Sequence, residues 1–587
     1  MTMVARRGRW AAVVLIAAGL LTVACSGDGG GSGGSADKDG DAPEARLVDV
    51  EGTEIYASTH PDPGSLDIVE DADQPGVQHM QFKLGPIDIE PGQNNIDYSG
   101  FQIPKPEVDG YIVSIKPDLM REDGSVPPVD VIHLHHGVWV NLGDFSFGGG
   151  GGGAGGGGGG GGRPGGGGGG PGGGGGGGGF AGLGGDDDSL GGALFFAAGE
   201  EKTRMILPAG YGYEYHASDR WLINYMIHNL LSTPDKVWIT YDIGFIPKTD
   251  PAAADIVPAH PLWMDVQKGN IYPVFDVLKG TGSDGEYTYP DDADDPYGDD
   301  PKLNEWKAPR DAVLIGAGGH LHPGGHHVDL WLSRQGEPDR AHVFQSDALY
   351  YEPSGAVSWD VTMTVAPEDW RIAVKKDDVL SISTTYDSER ASWYESMGIS
   401  VVWLIDAADQ AKAATFDDAA PVDPFADPVD PQRALLTHGH LPENDNHGGE
   451  PTDEFVDATE LPDGPAANEV TIADFTYAPG DIGGIYDAVP TVQAGQTLKF
   501  YNQDAPTPPH GIWHTITSCA APCDDTTGVA YPLADADVQF DSGELGIAGP
   551  PTAGRLEWSI PENLDPGTYT YFCRIHPSMR GAFRVTD

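Results

Sequence analysis

Tyr571-Phe-Cys-Arg-Ile-His-Pro-Ser-Met-Arg-Gly581 puts a thiol, an imidazole and a thioether, on Cys573, His576 and Met579, within seven residues. Soft sulfur beside nitrogen on a short loop suits copper cycling between its two oxidation states. Zinc favours a closed set of Cys and His ligands, to which a methionine adds little. The residues leading in, Pro566-Gly-Thr-Tyr-Thr-Tyr-Phe572, have the aromatic and β-branched character of a strand. A copper-binding loop at the end of a strand makes the chain's nineteen histidines worth re-examining.

Outward from that loop the chain reads as β throughout. Tyr111-Ile-Val-Ser-Ile-Lys, 129–140, Val237-Trp-Ile-Thr-Tyr-Asp-Ile, Val379-Leu-Ser-Ile-Ser-Thr-Thr and 399–405 are short β-branched or aromatic runs between Pro, Gly and Asp. That punctuation is the pattern of sandwiches. The apolar run 221–231 fits a buried strand or a short helix equally. At 587 residues there is more chain than one core can hold. The expectation is an all-β protein: two jelly-roll-type β-sandwich domains, 46–250 and 251–406, a linker at 407–465 rich in Ala, Asp and Pro, and a Greek-key sandwich at 466–587. Residues 148–179 are almost all glycine and should form a disordered loop inserted in the first sandwich.

A net charge of −56 argues against nucleic-acid or anionic-membrane partners. Residues 1–25 carry an export signal, with Arg6, Arg7 and Arg9 before an apolar run too short to favour a span. The run ends Leu21-Thr-Val-Ala-Cys25, which resembles a bacterial lipoprotein cleavage box with Cys25 as the lipid-bearing residue. An ordinary secretory signal or a membrane anchor is the alternative. Residues 26–45 then serve as a flexible tether, and the protein is expected on the extracellular side of the cell membrane. Of the four cysteines, Cys519 and Cys523 remain. In an exported protein their spacing fits a local disulfide, with a second metal site as the alternative reading.

The C-terminal segment resembles the cupredoxins, the blue-copper electron carriers. The likeness runs through His514-Thr-Ile-Thr, Phe540-Asp-Ser-Gly-Glu-Leu and the strand into Cys573, over most of the last 120 residues. It implies one type 1 copper held equatorially by His514, Cys573 and His576, with Met579 as the weak axial ligand. His510, among prolines, is expected at the rim.

Two further histidine clusters lie upstream. In Val131-Ile-His-Leu-His-His136-Gly-Val-Trp-Val, strand alternation puts His133 and His135 on one face and His136 on the other. Gly318-Gly-His320-Leu-His322 likewise pairs its two histidines on one face, and Met397 stands just before a strand. The order of these landmarks, with His228 between the clusters, resembles the ascorbate-dependent type II copper monooxygenases that hydroxylate peptidylglycine and dopamine. That resemblance spans roughly 77–406. It implies an electron-supplying copper on His135, His136 and His228, and a dioxygen-binding copper on His320, His322 and Met397. The adjacent pair it selects differs from the alternation reading, and His133 stays as the rival ligand. His326, His327, His342, His438, His440 and His447 match no landmark and read as loop residues or a copper-capture tract.

Together these features imply an exported copper monooxygenase with two type 2 coppers, fed electrons through its cupredoxin domain. A small-molecule reductant or redox protein, dioxygen and an organic substrate of unknown identity are the expected partners. The alternative is a non-catalytic lipoprotein that carries electrons or buffers copper. Gly318 and Val401 stand where the peptide-amidating enzymes hold substrate with an Arg and a Tyr, which speaks against peptide-glycine chemistry.

Overall fold

The computed structural model describes residues 46–50, 53–57, 66–67, 74–89, 96–98, 102–129, 132–143, 194–199, 202–229, 234–267, 274–278, 280–294 and 296–297. It continues with 302, 304–350, 361–389, 393–414, 419–439, 456–473, 475–482, 487–505, 514–519, 521, 539–543, 545–546, 555–573 and 579–587. Outside these fall the export signal with Cys25, the tether, the glycine-rich segment, and His440, His447, His510, Cys523 and His576.

Nearly every described element is a strand, as expected. In the first sandwich the Asp235–Pro247 strand lies between Gly110–Arg121 and Gln78–Ile89. Its alternate residues Val237, Ile239, Tyr241 and Ile243 face inward. Packed over them is a second sheet in which Trp221–Asn229 pairs with Ile132–Asn141, itself bordered by Leu194–Gly199. The ambiguous run is, over its described residues Trp221–Asn229, a strand, and Trp221 and Ile223 fill the core against Trp139 and Phe196. Local propensity could not separate the two forms; the partner sheet does.

The second sandwich is one long curled sheet. Its path runs His260–Asp265, Gly398–Asp406, Ala312–Leu321, Val361–Val365, Ala341–Tyr350, Gly325–Ser333, Val379–Asp387 and Glu286–Tyr289. Two of these strands are apolar on both faces. Leu314, Val402 and Leu404 face the second core, while Val313, Ile315, Trp403 and Ile405 enter the first. A strand covered on both sides reads as a continuous apolar run. This shared wall brings the end of Ala312–Leu321, where His320 sits, up to the first sandwich.

The third sandwich has a five-stranded and a four-stranded sheet. Gly567–Phe572 leads into Cys573 and pairs with Thr517–Cys519 and Arg580–Thr586. Its core of Phe500, Ile516, Tyr571 and Phe583 belongs to one apolar cluster that also contains Met226, Met397 and Ile399 of the first two sandwiches. The segment read as a linker is, over 419–439, packed along the second sandwich. Leu435–Leu436 pairs with Val361–Val365, and Asp423 receives Arg334 and Lys375. Its Pro and Asp content limits it to this short ladder and to side-chain contacts.

Candidate metal centres

At the C-terminal centre Cys573 is a buried thiol, in no disulfide, at the end of its strand. Its N–H donates to the Met579 carbonyl at 3.1 Å and closes the loop, while the Thr515 N–H points at Sγ from 3.4 Å. His514 is fully buried, with Nδ1 3.8 Å from Sγ and Nε2 2.9 Å from Asp504 Oδ2. A carboxylate only accepts, so Nε2 carries the proton and Nδ1 turns its lone pair toward the sulfur. One ion bonded to nitrogen at about 2.0 Å and sulfur at about 2.3 Å would hold them roughly 3.5–3.8 Å apart, so the pair fits. Burial alone would lower the His514 pKa, but its bonds to Asp504 and Cys573 raise it. Met579 is buried nearby in the same apolar cluster. Asp504 was not singled out from the sequence. Asn502 orients it, accepting its N–H at 2.9 Å while donating to the Leu545 carbonyl at 2.6 Å. Cys519 is disulfide-bonded, and its expected partner Cys523 lies outside the described residues.

In the first sandwich His133, His135 and His228 each bring a ring nitrogen within 4.8 Å of the others. His133 sits directly across the ladder from His228, with ring centroids 4.8 Å apart. The register slips at the next step, where Leu134 faces Ile227 and His136 faces Met226. His135 is thus the extra residue of a β-bulge, and bulges re-aim side chains. Its ring stacks on His228 at 4.4 Å and 10°. His136 does not join this triad; its Nε2 donates to Asn224 Oδ1 at 2.8 Å. The structure therefore brings together the rival set with His133 rather than the adjacent pair. His133 Nδ1 donates to the Val129 carbonyl at 2.5 Å, which makes Nε2 the lone-pair nitrogen. Burial holds the pKa of His133 and of His136 down at about 4 and that of His135 well below its ordinary value. Neutral imidazoles are the form that binds metal.

In the second sandwich His320 and His322 stand at right angles, ring centroids 5.2 Å apart. His322 begins the turn His322-Pro-Gly-Gly325, closed by a 3.1 Å bond from the Gly325 N–H to the His322 carbonyl. Pro323 followed by Gly324 at φ +88° suits that turn. A side chain on Gly324 would meet the Trp393 ring at 2.1 Å, so this turn is packed against the strand that precedes Met397. Met397 is buried just before the Gly398–Asp406 strand, in which Ile399 faces His320 across the ladder. Gly318 and Val401 face each other two residues further along, so no cation or phenol stands there.

These two sets are not separate. The His135 ring lies 4.8 Å from that of His322 and 6.0 Å from that of His136. Six histidines from two sandwiches thus form one array.

No protein-family model matches the chain, and no curated protein matches it. Among solved structures it is similar to a purple cupredoxin from Nitrosopumilus maritimus, at 17% identity over 20% of this chain and 98% of that one, TM-score 0.12. It is also similar to an amicyanin variant in its Cu(I) form, at 21% identity over 23% and 95%, TM-score 0.13. A third is a copper-containing nitrite reductase from Thermus scotoductus, at 13% identity over 48% and 58%, TM-score 0.14. The reading of the metal centres that follows rests on this chain's own donors.

Proposed function

We propose that the chain is an exported, copper-dependent oxidoreductase of the monooxygenase type, with dioxygen and an organic substrate meeting at His320, His322 and Met397. The observation that carries this reading is the array itself, a three-histidine set touching a His/His/Met set at His135 and His322. Copper there would supply one-electron steps and an open position for dioxygen. Burial holds His133 and His135 neutral, and the Val129 carbonyl orients His133. The apolar cluster shared by Met226, Met397 and the third sandwich supports electron delivery from the Cys573 centre without crossing bulk water. A shallow recess lined by Val129, His133, Asp118 and Lys202 lies beside the triad. The N-terminal signal and Cys25 support export and lipid attachment at the outer face of the membrane.

A second reading, an electron carrier or copper buffer, draws on the cross-strand pair Gly318 and Val401, which offers nothing to hold a charged substrate. Oxygen uptake by copper-loaded protein with a small-molecule reductant separates the two. The monooxygenase reading expects uptake that His320→Ala abolishes while the blue absorption persists. Uptake unchanged by that substitution refutes the assigned site, and no uptake by the fully loaded parent supports the second reading.

A further inference from the structure

The geometry points to Tyr386 as the positioning residue that sets the spacing of His322 and Met397, an inference that rests on reading His320, His322 and Met397 as a copper site. The ladder between Ala312–Leu321 and Gly398–Asp406 ends at the Leu321–Gly398 pair. One step beyond are His322 and Met397, and here a hydroxyl takes over from the ladder. Tyr386 Oη accepts the His322 N–H at 3.0 Å and the Met397 N–H at 2.9 Å, and donates to the Met397 carbonyl at 2.6 Å. A phenol has one proton and two lone pairs, and all three are used.

The ring cannot drift. Tyr386 is fully buried on the Val379–Asp387 strand, between Gly325 and Tyr287, with Phe275 edge-on at 5.7 Å and 82°. One rigid side chain thus ties a donor on the turn after one strand to a donor on the turn before another. Groups that orient ligands are commonly worth 10–100-fold in metal affinity. Tyr386 touches neither dioxygen nor substrate; it acts through the two donors.

The test uses the reduced, copper-loaded full chain and carbon monoxide, which binds only an open Cu(I) position and leaves a closed centre silent. The C–O stretch reports the donors on that ion, and Met397→Ala gives the band without thioether. Tyr386→Phe is expected to shift the band toward that of Met397→Ala and to weaken Cu(I) binding about 10–100-fold. Tyr241→Phe, which removes a 2.5 Å bond to the Pro104 carbonyl in the first sandwich, is the stability control and is expected to keep the parent band. Should Tyr386→Phe fail to accumulate, Phe275→Leu loosens the seat of the ring and is expected to shift the band the same way by less. A parent band unchanged in Tyr386→Phe, or in Phe275→Leu if that must stand in, overturns the positioning role, as does an equal shift in Tyr241→Phe. Absence of any band in the reduced parent overturns the copper site and this role with it.

Discussion

Replacing His133 or His136 by alanine separates the two versions of the histidine triad. His133 faces His228 across the ladder, is locked by Val129, and contributes one of the three nitrogens that converge. His136 turns instead to Asn224. A residue that merely orients a ligand is worth about 10–100-fold in metal affinity, so loss of a ligand is expected to cost more than about 100-fold. That is roughly 2.7 kcal/mol or more. His136→Ala removes one hydrogen bond beside the triad and is expected to change affinity less than about tenfold. The assay is a Cu(I) competition titration against a chromophoric chelator, in a His320→Ala, Cys573→Ser background that leaves the triad as the strong centre. A large loss in His136→Ala with little in His133→Ala would refute the geometric assignment.

Three more outcomes follow from the same structure. Asp504→Ala frees the His514 ring from its 2.9 Å anchor and is expected to lower copper affinity at the C-terminal centre about 10–100-fold; unchanged titration curves would contradict this. Cys573→Ser is expected to abolish the blue absorption while the copper count falls by one, and retained colour would place the blue centre elsewhere. Burial pushes Asp347 up to about 7, although His327 opposes this. Its folded-state pKa therefore lies above the unfolded value of 3.8, the folded form binds the extra proton, and this contribution to stability is lost as pH rises from about 4 to about 7. Asp347→Asn should flatten that part of the pH profile in thermal unfolding, and parallel profiles for parent and variant would contradict it.

The strands were legible because β-branched alternation and Gly, Pro and Asp punctuation are local signals. So was the loop around Cys573, whose donors are adjacent in sequence. Alternation also paired His133 with His135, and the structure brings those two together. What local pattern could not show is the bulge at His135, because the slip depends on which residue of Trp221–Asn229 lies opposite. Family likeness selected His136, one residue beyond that slip. Asp504 and Tyr386 carried no signal because they matter through the loops they tie, and a tyrosine in a strand reads as core whether or not its hydroxyl bridges two donors. The Pro- and Asp-rich segment after 407 was read as a linker because composition shows neither a two-residue pairing such as Leu435–Leu436 on Val361–Val365 nor side-chain docking such as that of Arg334 on Asp423.

Copper analysis of the full chain, loaded and freed of loosely held metal, tests the central claim most directly. Three coppers per chain are expected, one blue and lost with Cys573→Ser, two retained in that variant and lowered by His133→Ala and His320→Ala. A single copper per chain, wholly accounted for by the blue centre, would contradict the account.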